Sequence, residues 1–336
     1  KGYLMASEGG IALVDLDEQG VDRAFRADVL EGLGHRQKAI PARWLYDDAG
    51  SQLFEDITQI PEYYPTRAEA EILTARGAEF AAAIGKGRAV VEFGSGSSVK
   101  TPLLLNAIDP AAYVPLDIAG DFLRQAADDL SAKFPGLPVY PIEADFMRQV
   151  DLPDAVDGLP KLGFFPGSTI GNMVPRTAVD LLRSMRATLR ADHGVQPMLL
   201  IGMDLVKDPA VLEAAYDDAA GVTAEFNYNL ARRINRELSG TIPVDALRHE
   251  ARWNDRMARV EMHLVATRAI RFEISGQSFA MAEGETIHTE NSHKFTRRSA
   301  NLLLQAAGWS PRKRWRDSKK QFSLILAEAS EPRNAP

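Results

Sequence analysis

The feature that most constrains the fold is a short β-branched run that ends at two glycines and continues as a helical pattern. Residues 88–93 read RAVVEF, Gly94, Ser95 and Gly96 follow, and residues 100–108 read KTPLLLNAI. This order predicts a strand, a glycine-rich turn and a helix. Because glycines carry no side chain, a ligand can approach the backbone at the turn while amide groups face it. The turn is therefore a predicted binding site.

Further apolar runs follow at intervals that suit alternating strands and helices. The runs span residues 113–117, 137–142, 162–165 and 198–202. Amphipathic segments at 120–134 and 175–191 separate them. Strands that alternate with helices predict a parallel sheet with helices on both faces. We expect residues 71–203 to form this α/β domain, and residues 294–336 to complete it with a helix and a closing pair of strands.

The pattern changes after Asp204, which indicates a second domain. A helical stretch at 209–238 is followed by shorter alternating segments at 258–265 and 270–274. Such segments are typical of an antiparallel sheet with one solvated face. We expect a second, α+β substrate-binding domain formed by residues 1–70 and 204–293.

Composition restricts the class of partner. The 336 residues are 45% apolar and 25% charged, which is typical of a soluble globular protein with about two domains. Domains that bind nucleic acid usually carry an excess of basic residues, so the net charge of −7 argues against a nucleic-acid partner. A small molecule is the expected partner. The basic residues at 312–314 and 319–320 are interpreted as a solvated face. Without a long heptad pattern, we expect a monomer.

The chain has no cysteine, which excludes disulfides, thiolate metal sites and a cysteine nucleophile. None of its histidines forms an HxH or HExxH pair, so no metal is expected. The histidines are His35, His193, His249, His263, His288 and His293. There is no signal-peptide pattern, and no uncharged apolar run approaches the roughly 18 residues that a bilayer requires. We therefore expect no membrane partner and a cytoplasmic location.

Acidic residues recur at the ends of the predicted strands. Glu92 precedes the glycine turn, Asp117 ends the next strand, and Asp145 with Phe146 follows the one after it. Ligands of open α/β sheets bind at the carboxyl ends of the strands, where these residues would converge. Carboxylates suit ribose hydroxyls or an ammonium group, and an adenine can stack on the phenyl ring. Dinucleotide sites also use paired glycines, but Val99 replaces their third glycine, which disfavours a dehydrogenase.

Longer motifs carry a more specific resemblance. They are RWLYDDAGSQLF at 43–54, IPEYYPTRAE at 60–69, FFPGSTIGN at 164–172, AYDDAAGVTAEFN at 215–227 and TENSHKF at 289–295. With these motifs the chain resembles, over nearly its whole length, the histidine-specific Nα-methyltransferases of ergothioneine biosynthesis. That family methylates the α-amino group of L-histidine to hercynine, Nα,Nα,Nα-trimethylhistidine. The resemblance implies a Rossmann-like class I methyltransferase fold and S-adenosyl-L-methionine as the methyl donor.

The resemblance also implies a role for individual residues. The donor is contacted by Gly94, Ser95, Gly96 and Lys100, with Asp117 at its ribose and Asp145 and Phe146 at its adenine. The acceptor's carboxylate and amine are held at the reacting centre by Tyr46, Asn172 and Tyr216, and its imidazole by Tyr63, Glu290 and Ser292. Met262 packs near the side-chain pocket.

These residue types suit the acceptor, because phenols and an amide donate to a carboxylate while Glu290 accepts from an imidazole N–H. A site that hydrogen-bonds a polar side chain rejects analogues that lack the group. Asn291 departs from the small aliphatic residue expected between Glu290 and Ser292, and would shift selectivity if it turned into the pocket. No dedicated base is evident, so the amine's proton is expected to leave to water or to a phenol such as Tyr46.

Two alternatives of different kinds stay open at this point. The first is a methyltransferase of the same fold that acts on another amino acid or an amine such as a tryptophan derivative; the Glu290 and Ser292 pair favours histidine. The second is a non-catalytic module that senses the cofactor or a free amino acid, which would bind the nucleoside without turnover.

Overall fold

The computed structural model describes residues 16–18, 20–96, 100–118, 120–190 and 194–330. Val99 and His193 lie outside the described residues. So do residues 1–15 of the predicted substrate-binding domain and residues 331–336 of the predicted α/β domain. The chain divides into two compact units. We call Lys1–Tyr64 with Lys207–His293 the α+β unit, and Pro65–Val206 with Lys294–Pro336 the α/β unit.

Helices and strands are numbered in chain order. The helices are α1 (Arg23–Gly34), α2 (Asp48–Gln59), α3 (Pro65–Ala75), α4 (Gly77–Ile84), α5 (Thr101–Ile108), α6 (Gly120–Lys133), α7 (Pro175–Leu189), α8 (Pro209–Tyr216), α9 (Val222–Glu237) and α10 (Arg297–Ala306). The strands are β1 (Lys38–Ala39), β2 (Ala89–Phe93), β3 (Ala112–Asp117), β4 (Ile142–Glu143), β5 (Lys161–Phe165), β6 (Met198–Asp204), β7 (Leu247–Asn254), β8 (Arg259–Ala266), β9 (Ile270–Ile274), β10 (Gln277–Met281), β11 (Thr286–His293), β12 (Trp309–Arg316) and β13 (Phe322–Ala329). No described helix combines the length and the apolar character that crossing a membrane requires.

The α/β unit is built on a seven-stranded sheet in the order β12-β13-β6-β5-β2-β3-β4. Strands β2 to β6 run parallel, and β13 and β12 close the sheet antiparallel. From β2 the chain moves toward β3 and β4, and from β5 it moves the opposite way to β6. Because crossovers between parallel strands are right-handed as a rule, α5 and α6 belong to one face of the sheet and α7 to the other. The predicted α/β sheet with helices on both faces is confirmed. The order reverses between β2 and β5, where ligands of such sheets bind.

One predicted strand of this sheet is much shorter than expected. Of the apolar run 137–142, only Ile142 belongs to a strand, β4, and Val139 forms an isolated bridge to Tyr113. Pro138 and Pro141 explain the difference, because proline has no N–H to donate to a sheet. The boundary predicted at 70/71 also falls inside α3.

The α+β unit contains a four-stranded sheet in the order β1-β11-β8-β7 and a separate β9–β10 hairpin. The predicted helical stretch 209–238 is interrupted, because Asp218 accepts hydrogen bonds from the backbone N–H groups of Val222 and Thr223 and so begins a new helix. Gly221 lies before that helix with φ of 75°. The interruption leaves Tyr216 at the end of α8.

A β-bulge in β11 decides which side chains share a face of this sheet. His288 pairs with His263, Glu290 pairs with Met262, and Thr289 between them is the extra residue. Directly opposite residues of antiparallel strands point to the same side. Glu290 and Ser292 therefore lie on the face of Met262, whereas Asn291 lies on the opposite face.

Candidate functional site

The glycine turn of the α/β unit follows β2 as predicted. Gly94 and Gly96 have φ values of 70° and 45°. The positive φ of Gly94 favours glycine, and a Cβ there would also crowd the ring of Phe146, whose Cζ would lie 3.3 Å away. The N–H groups of Gly94 and Ser95 donate to the carbonyl oxygen of Leu116 at 2.9 and 3.2 Å, which fixes the turn against β3.

Asp117 holds the same turn from the end of β3. Its Oδ2 accepts from the N–H of Gly96 at 3.0 Å, and its Oδ1 accepts from the N–H of Ile118 at 2.7 Å. The carboxylate predicted to bind ribose therefore also sets the shape of the loop predicted to bind the donor.

Glu92 is fully buried within β2. Its Oε2 accepts from the hydroxyls of Thr101 at 2.7 Å and Tyr113 at 2.6 Å. Burial raises the pKa of Tyr113 well above its ordinary value, and the charge of Glu92 raises it further, so the phenol remains a donor. Glu92 thus ties the start of α5 and the strand β3 to β2.

Asp145 and Phe146 follow β4 at the same end of the sheet. The Oδ1 of Asp145 accepts from the N–H of Met147 at 2.9 Å. The ring of Phe146 lies edge-on to Phe93 and Phe165, with centroids 6.0 and 6.4 Å away. The structure therefore places this ring beside the glycine turn.

Glu69 is a residue of the α/β unit that was not predicted as a site residue. It is 0% exposed, pairs with Lys100 Nζ, and accepts from the N–H of Gly167 at 2.9 Å. A Cβ on Gly202 would lie 2.3 Å from Glu69 Oε1, so the carboxylate is packed tightly. The sequence did contain a signal for this pair, because Glu69 lies on the same buried face of α3 as Ala68, Ile72 and Leu73. A fully buried acid is almost always paired, so its position indicated a buried partner.

Asn172 ends a short 3-10 helix, Thr169–Asn172, that follows β5 in the α/β unit. Its side chain is half-buried, and within the described residues no hydrogen bond ends on its amide. The preceding Ser168 accepts from the N–H of Asp204 at 2.9 Å. Asp204 in turn pairs with Lys294 at 2.7 Å, and both side chains are buried. The loop that carries Asn172 is thus anchored at Gly167 and at Ser168.

Aromatic rings surround the predicted acceptor residues of the α+β unit. Tyr46 lies edge-on to Phe54 and Phe226, with centroids 5.6 and 5.3 Å away. Tyr63 lies edge-on to Phe54 at 6.3 Å and to Tyr216 at 6.0 Å. Phe54 and Phe226 were not predicted as site residues, although both lie in motifs that carried the resemblance.

The polar groups of this cluster are buried and already paired. Tyr46 donates to Glu290 Oε1 at 3.3 Å, and the hydroxyls of Tyr216 and Ser292 are 2.8 Å apart. Glu290 is 8% exposed and Ser292 4%. The structure therefore brings together the predicted residues of this unit, and places Asn172 among the residues of the α/β unit. The residues that meet in the α+β unit are Tyr46, Tyr63, Tyr216, Met262, Glu290 and Ser292.

Tyr46 is a hydrogen-bond donor at neutral pH. Burial raises the pKa of its phenol well above the ordinary value of about 10, and the charge of Glu290 and the neighbouring Tyr63 and Tyr216 raise it further. An acid whose pKa is raised keeps its proton to higher pH, so the phenolate is not populated near neutrality.

Asn291 pairs with Glu261 and lies on the opposite face from Glu290, on the side of the sheet that carries His263 and His288. It does not turn toward the tyrosines, so the condition under which it would shift selectivity is not met.

On this opposite face, Glu261, His263 and His288 form a group with metal-binding side chains. The two imidazole rings are stacked, with centroids 4.7 Å apart and planes at 18°. Imidazole binds a metal in its ring plane, so stacked rings do not direct their nitrogens to one point. Burial lowers the pKa of His263 to about 4, and hydrogen bonds from His263, Asn254 and Arg259 overcome the effect of burial to bring the pKa of Glu261 to about 2. The arrangement of Glu261, His263 and His288 therefore favours a hydrogen-bonded cluster over a metal site.

A family model and two relatives of high similarity all point to the histidine-specific methyltransferases. The family model described as histidine-specific methyltransferase, SAM-dependent, matches residues 25–329. The chain is 40% identical to the histidine N-alpha-methyltransferase of Mycobacterium tuberculosis over 93% of this chain and 97% of that protein. It is also 40% identical to the enzyme of the same name from Mycolicibacterium smegmatis, over 90% and 94%. An L-tryptophan methyltransferase of Psilocybe serbica is 26% identical over 91% and 93%.

Proposed function

Because the chain belongs to the family of histidine-specific, S-adenosylmethionine-dependent methyltransferases, we propose that it trimethylates the α-amino group of L-histidine to hercynine, the first step of ergothioneine biosynthesis. The observation that carries the proposal is the buried group in the α+β unit, where Glu290 and Ser292 lie with three tyrosines. A carboxylate and a hydroxyl on one sheet face suit the two nitrogens of an imidazole.

The α/β unit is proposed to bind the donor. Gly94, Ser95 and Gly96 would contact it through the backbone, Asp117 would hold its ribose, and Asp145 with Phe146 would hold its adenine. When bound, S-adenosylmethionine supplies an electrophilic methyl on a sulfonium. The carboxylates Glu92 and Asp117 suit this cationic ligand, and Lys100, held by Glu69, is proposed to lie at its edge.

The remaining residues are proposed to bind the acceptor. Tyr46, Asn172 and Tyr216 would hold its amine and carboxylate, and Tyr63, Glu290 and Ser292 its imidazole, with Met262 against the ring. Phenol and amide donors orient a carboxylate without the charge of an arginine. Orientation of the amine toward the methyl can lower the barrier by several kcal/mol.

The acceptor amine must lose its proton before it attacks. Each unit by which its pKa exceeds the ambient pH costs about 1.4 kcal/mol. Tyr46 keeps its own proton in this range, so it does not act as a phenolate base. We propose that the proton leaves to water, and that Tyr46 and Tyr216 orient the neutral amine.

The pH dependence tests this role of Tyr46. We expect kcat/KM to rise about tenfold per pH unit until the free amine dominates. Tyr46→Phe should lower kcat/KM and leave the slope unchanged, because the ionisation belongs to the substrate. A flat wild-type profile between about pH 6 and 9 with chemistry rate-limiting, or a slope that Tyr46→Phe abolishes, would contradict the mechanism.

Removal of Asp117 tests the donor site. Asp117→Ala should weaken binding of S-adenosylhomocysteine about 10- to 100-fold, because the ribose partner and the hydrogen bond to Gly96 are both lost. Calorimetry measures the affinity. The KM for histidine at saturating donor should change little, and Asp128→Ala on the exposed face of α6 is the control. Equal losses in both variants would remove Asp117 from the donor site.

No metal is proposed to take part. Turnover should be the same after dialysis against a chelator and after addition of Zn²⁺ or Mg²⁺. Loss of turnover that only a metal restores would show that this part of the proposal is wrong.

A competition assay tests the function itself. The purified protein is incubated with S-adenosylmethionine and all twenty amino acids, and methylated products are identified by mass. Histidine with one, two and three added methyl groups is the expected result. Methylated tryptophan would instead favour the activity named for the Psilocybe serbica relative, and cofactor binding without product would favour a sensing module.

A further inference from the structure

A buried chain of hydrogen bonds in the α+β unit joins the end of α8 to the bulge of β11. Thr289 Oγ1 donates to Asn227 Oδ1 at 2.7 Å. Asn227 Nδ2 lies 2.9 Å from His249 Nδ1, and His249 Nε2 lies 2.7 Å from the carbonyl oxygen of Tyr216. Asn227 is 0% exposed, Thr289 1% and His249 4%. Tyr216, a residue of the proposed acceptor site, thus lies at one end of this chain of hydrogen bonds. Thr289, which directly precedes Glu290, lies at the other end.

The chemistry of the groups fixes the direction of each hydrogen bond. A carbonyl oxygen only accepts, so Nε2 of His249 carries the proton and Nδ1 accepts. The Asn227 amide donates to Nδ1, and its second N–H donates to the carbonyl oxygen of His263 at 3.2 Å. Its oxygen is then left for the Thr289 hydroxyl. The chain therefore selects one tautomer of His249 and one orientation of the Asn227 amide.

His249 must be neutral for this arrangement. Burial lowers the pKa of His249, which favours the neutral ring. The groups that oppose this effect are the carbonyl oxygen of Tyr216 and the carboxylates of Asp217, Asp218 and Glu250. An imidazolium would direct a second N–H at the N–H of Asn227, so protonation would break the chain.

We propose that Asn227 and His249 are positioning residues that hold Tyr216 and Glu290 at the separation an amino acid acceptor requires. The inference rests on the proposed function of that site. Both residues are buried and act through their neighbours. His249 restrains the backbone of Tyr216, and Asn227 restrains Thr289, which directly precedes Glu290.

Asn227→Asp is the sharpest test, because it replaces the N–H that faces His249 with an oxygen at nearly constant shape. We expect the KM for histidine to rise about tenfold or more, while the Kd of S-adenosylhomocysteine stays within about twofold. The new carboxylate favours a protonated His249, which would restore a hydrogen bond at Nδ1. The defect should therefore shrink as the pH falls from about 8 to about 6, a response that loss of packing alone would not produce.

A milder variant covers the case in which Asn227→Asp does not fold. Thr289→Val removes one hydroxyl at constant shape and should raise the KM for histidine severalfold, and Thr289→Ser should restore it. Thr286→Val is the matched control on β11, because its hydroxyl contacts Gln37 and His263 outside the chain of hydrogen bonds.

The outcomes separate this inference from the proposed function. Failure of the wild-type protein to methylate histidine would refute the function. Wild-type turnover with an unchanged histidine KM in Thr289→Val and in any folded Asn227 variant would overturn the positioning role alone. Equal losses in Thr289→Val and Thr286→Val would also overturn it.

Discussion

Replacement of Glu290 by alanine is expected to lower kcat/KM for histidine about 10- to 150-fold, the range for a lost hydrogen bond to a charged group. The side chain is 8% exposed and accepts from Tyr46, so its removal leaves both the phenol and a bound imidazole without a buried acceptor. Steady-state kinetics with histidine at saturating donor measures the loss. Selectivity should relax toward apolar and indole side chains, which no longer leave a carboxylate unpaired.

A matched variant, Asn291→Ala, controls for nonspecific damage, and it is compared with Glu290→Ala. Asn291→Ala removes the next side chain of the same strand, but from the opposite face of the sheet, and should leave histidine selectivity unchanged. Affinity for S-adenosylhomocysteine should be preserved in both variants. If Glu290→Ala retains the histidine preference of the wild type, the carboxylate does not recognise the imidazole.

The second large effect is expected for Glu69→Ala, which should lower the free energy of unfolding by about 3–5 kcal/mol, the range for breaking one partner of a buried ion pair. Glu69 is 0% exposed and Lys100 is 13% exposed. Alanine would leave Lys100 without its buried acceptor and free the N–H of Gly167. Urea denaturation measures the stability, and donor binding should weaken because Lys100 loses its position.

A double variant separates charge from packing. Glu69→Met combined with Lys100→Met removes both charges and should recover much of the stability, since apolar pairs often replace buried ion pairs without loss. Donor binding should not recover. Glu328→Ala, which breaks the more exposed pair with Arg312, should cost at most about 1 kcal/mol. If Glu69→Ala lowered the free energy of unfolding no more than Glu328→Ala does, the buried pair of Glu69 and Lys100 would not be a structural requirement.

The α/β sheet was predictable because its signals are local. The run before Gly94, the acids at the strand ends and the alternation of strands with helices all depend on neighbours in sequence. The length of the strand predicted at 137–142 was overestimated, because Pro138 and Pro141 fit an apolar run by hydropathy. A strand inside a sheet also needs backbone N–H donors, which prolines lack.

The acceptor site was predictable only through long motifs, since no local rule assigns Tyr46 or Tyr63 a ligand. Glu69 and Asn227 escaped because their partners are far away in sequence. Lys100 follows Glu69 by 31 positions, and Thr289 follows Asn227 by 62. Burial of a polar residue becomes informative only when the partner that compensates it is known.

The extra residue in β11 also separates the proposed acceptor site from two of the chain's own imidazoles. In an uninterrupted strand His288 and Glu290 would project to the same side, because side chains alternate with a period of two. The carboxylate proposed to recognise a free imidazole would then stand among the chain's own imidazoles, His288 and His263, which are tethered and always present. The bulge puts the sheet between them. If Glu290 has the role proposed for it, the bulge keeps the chain's own imidazoles from taking the place of the substrate's ring.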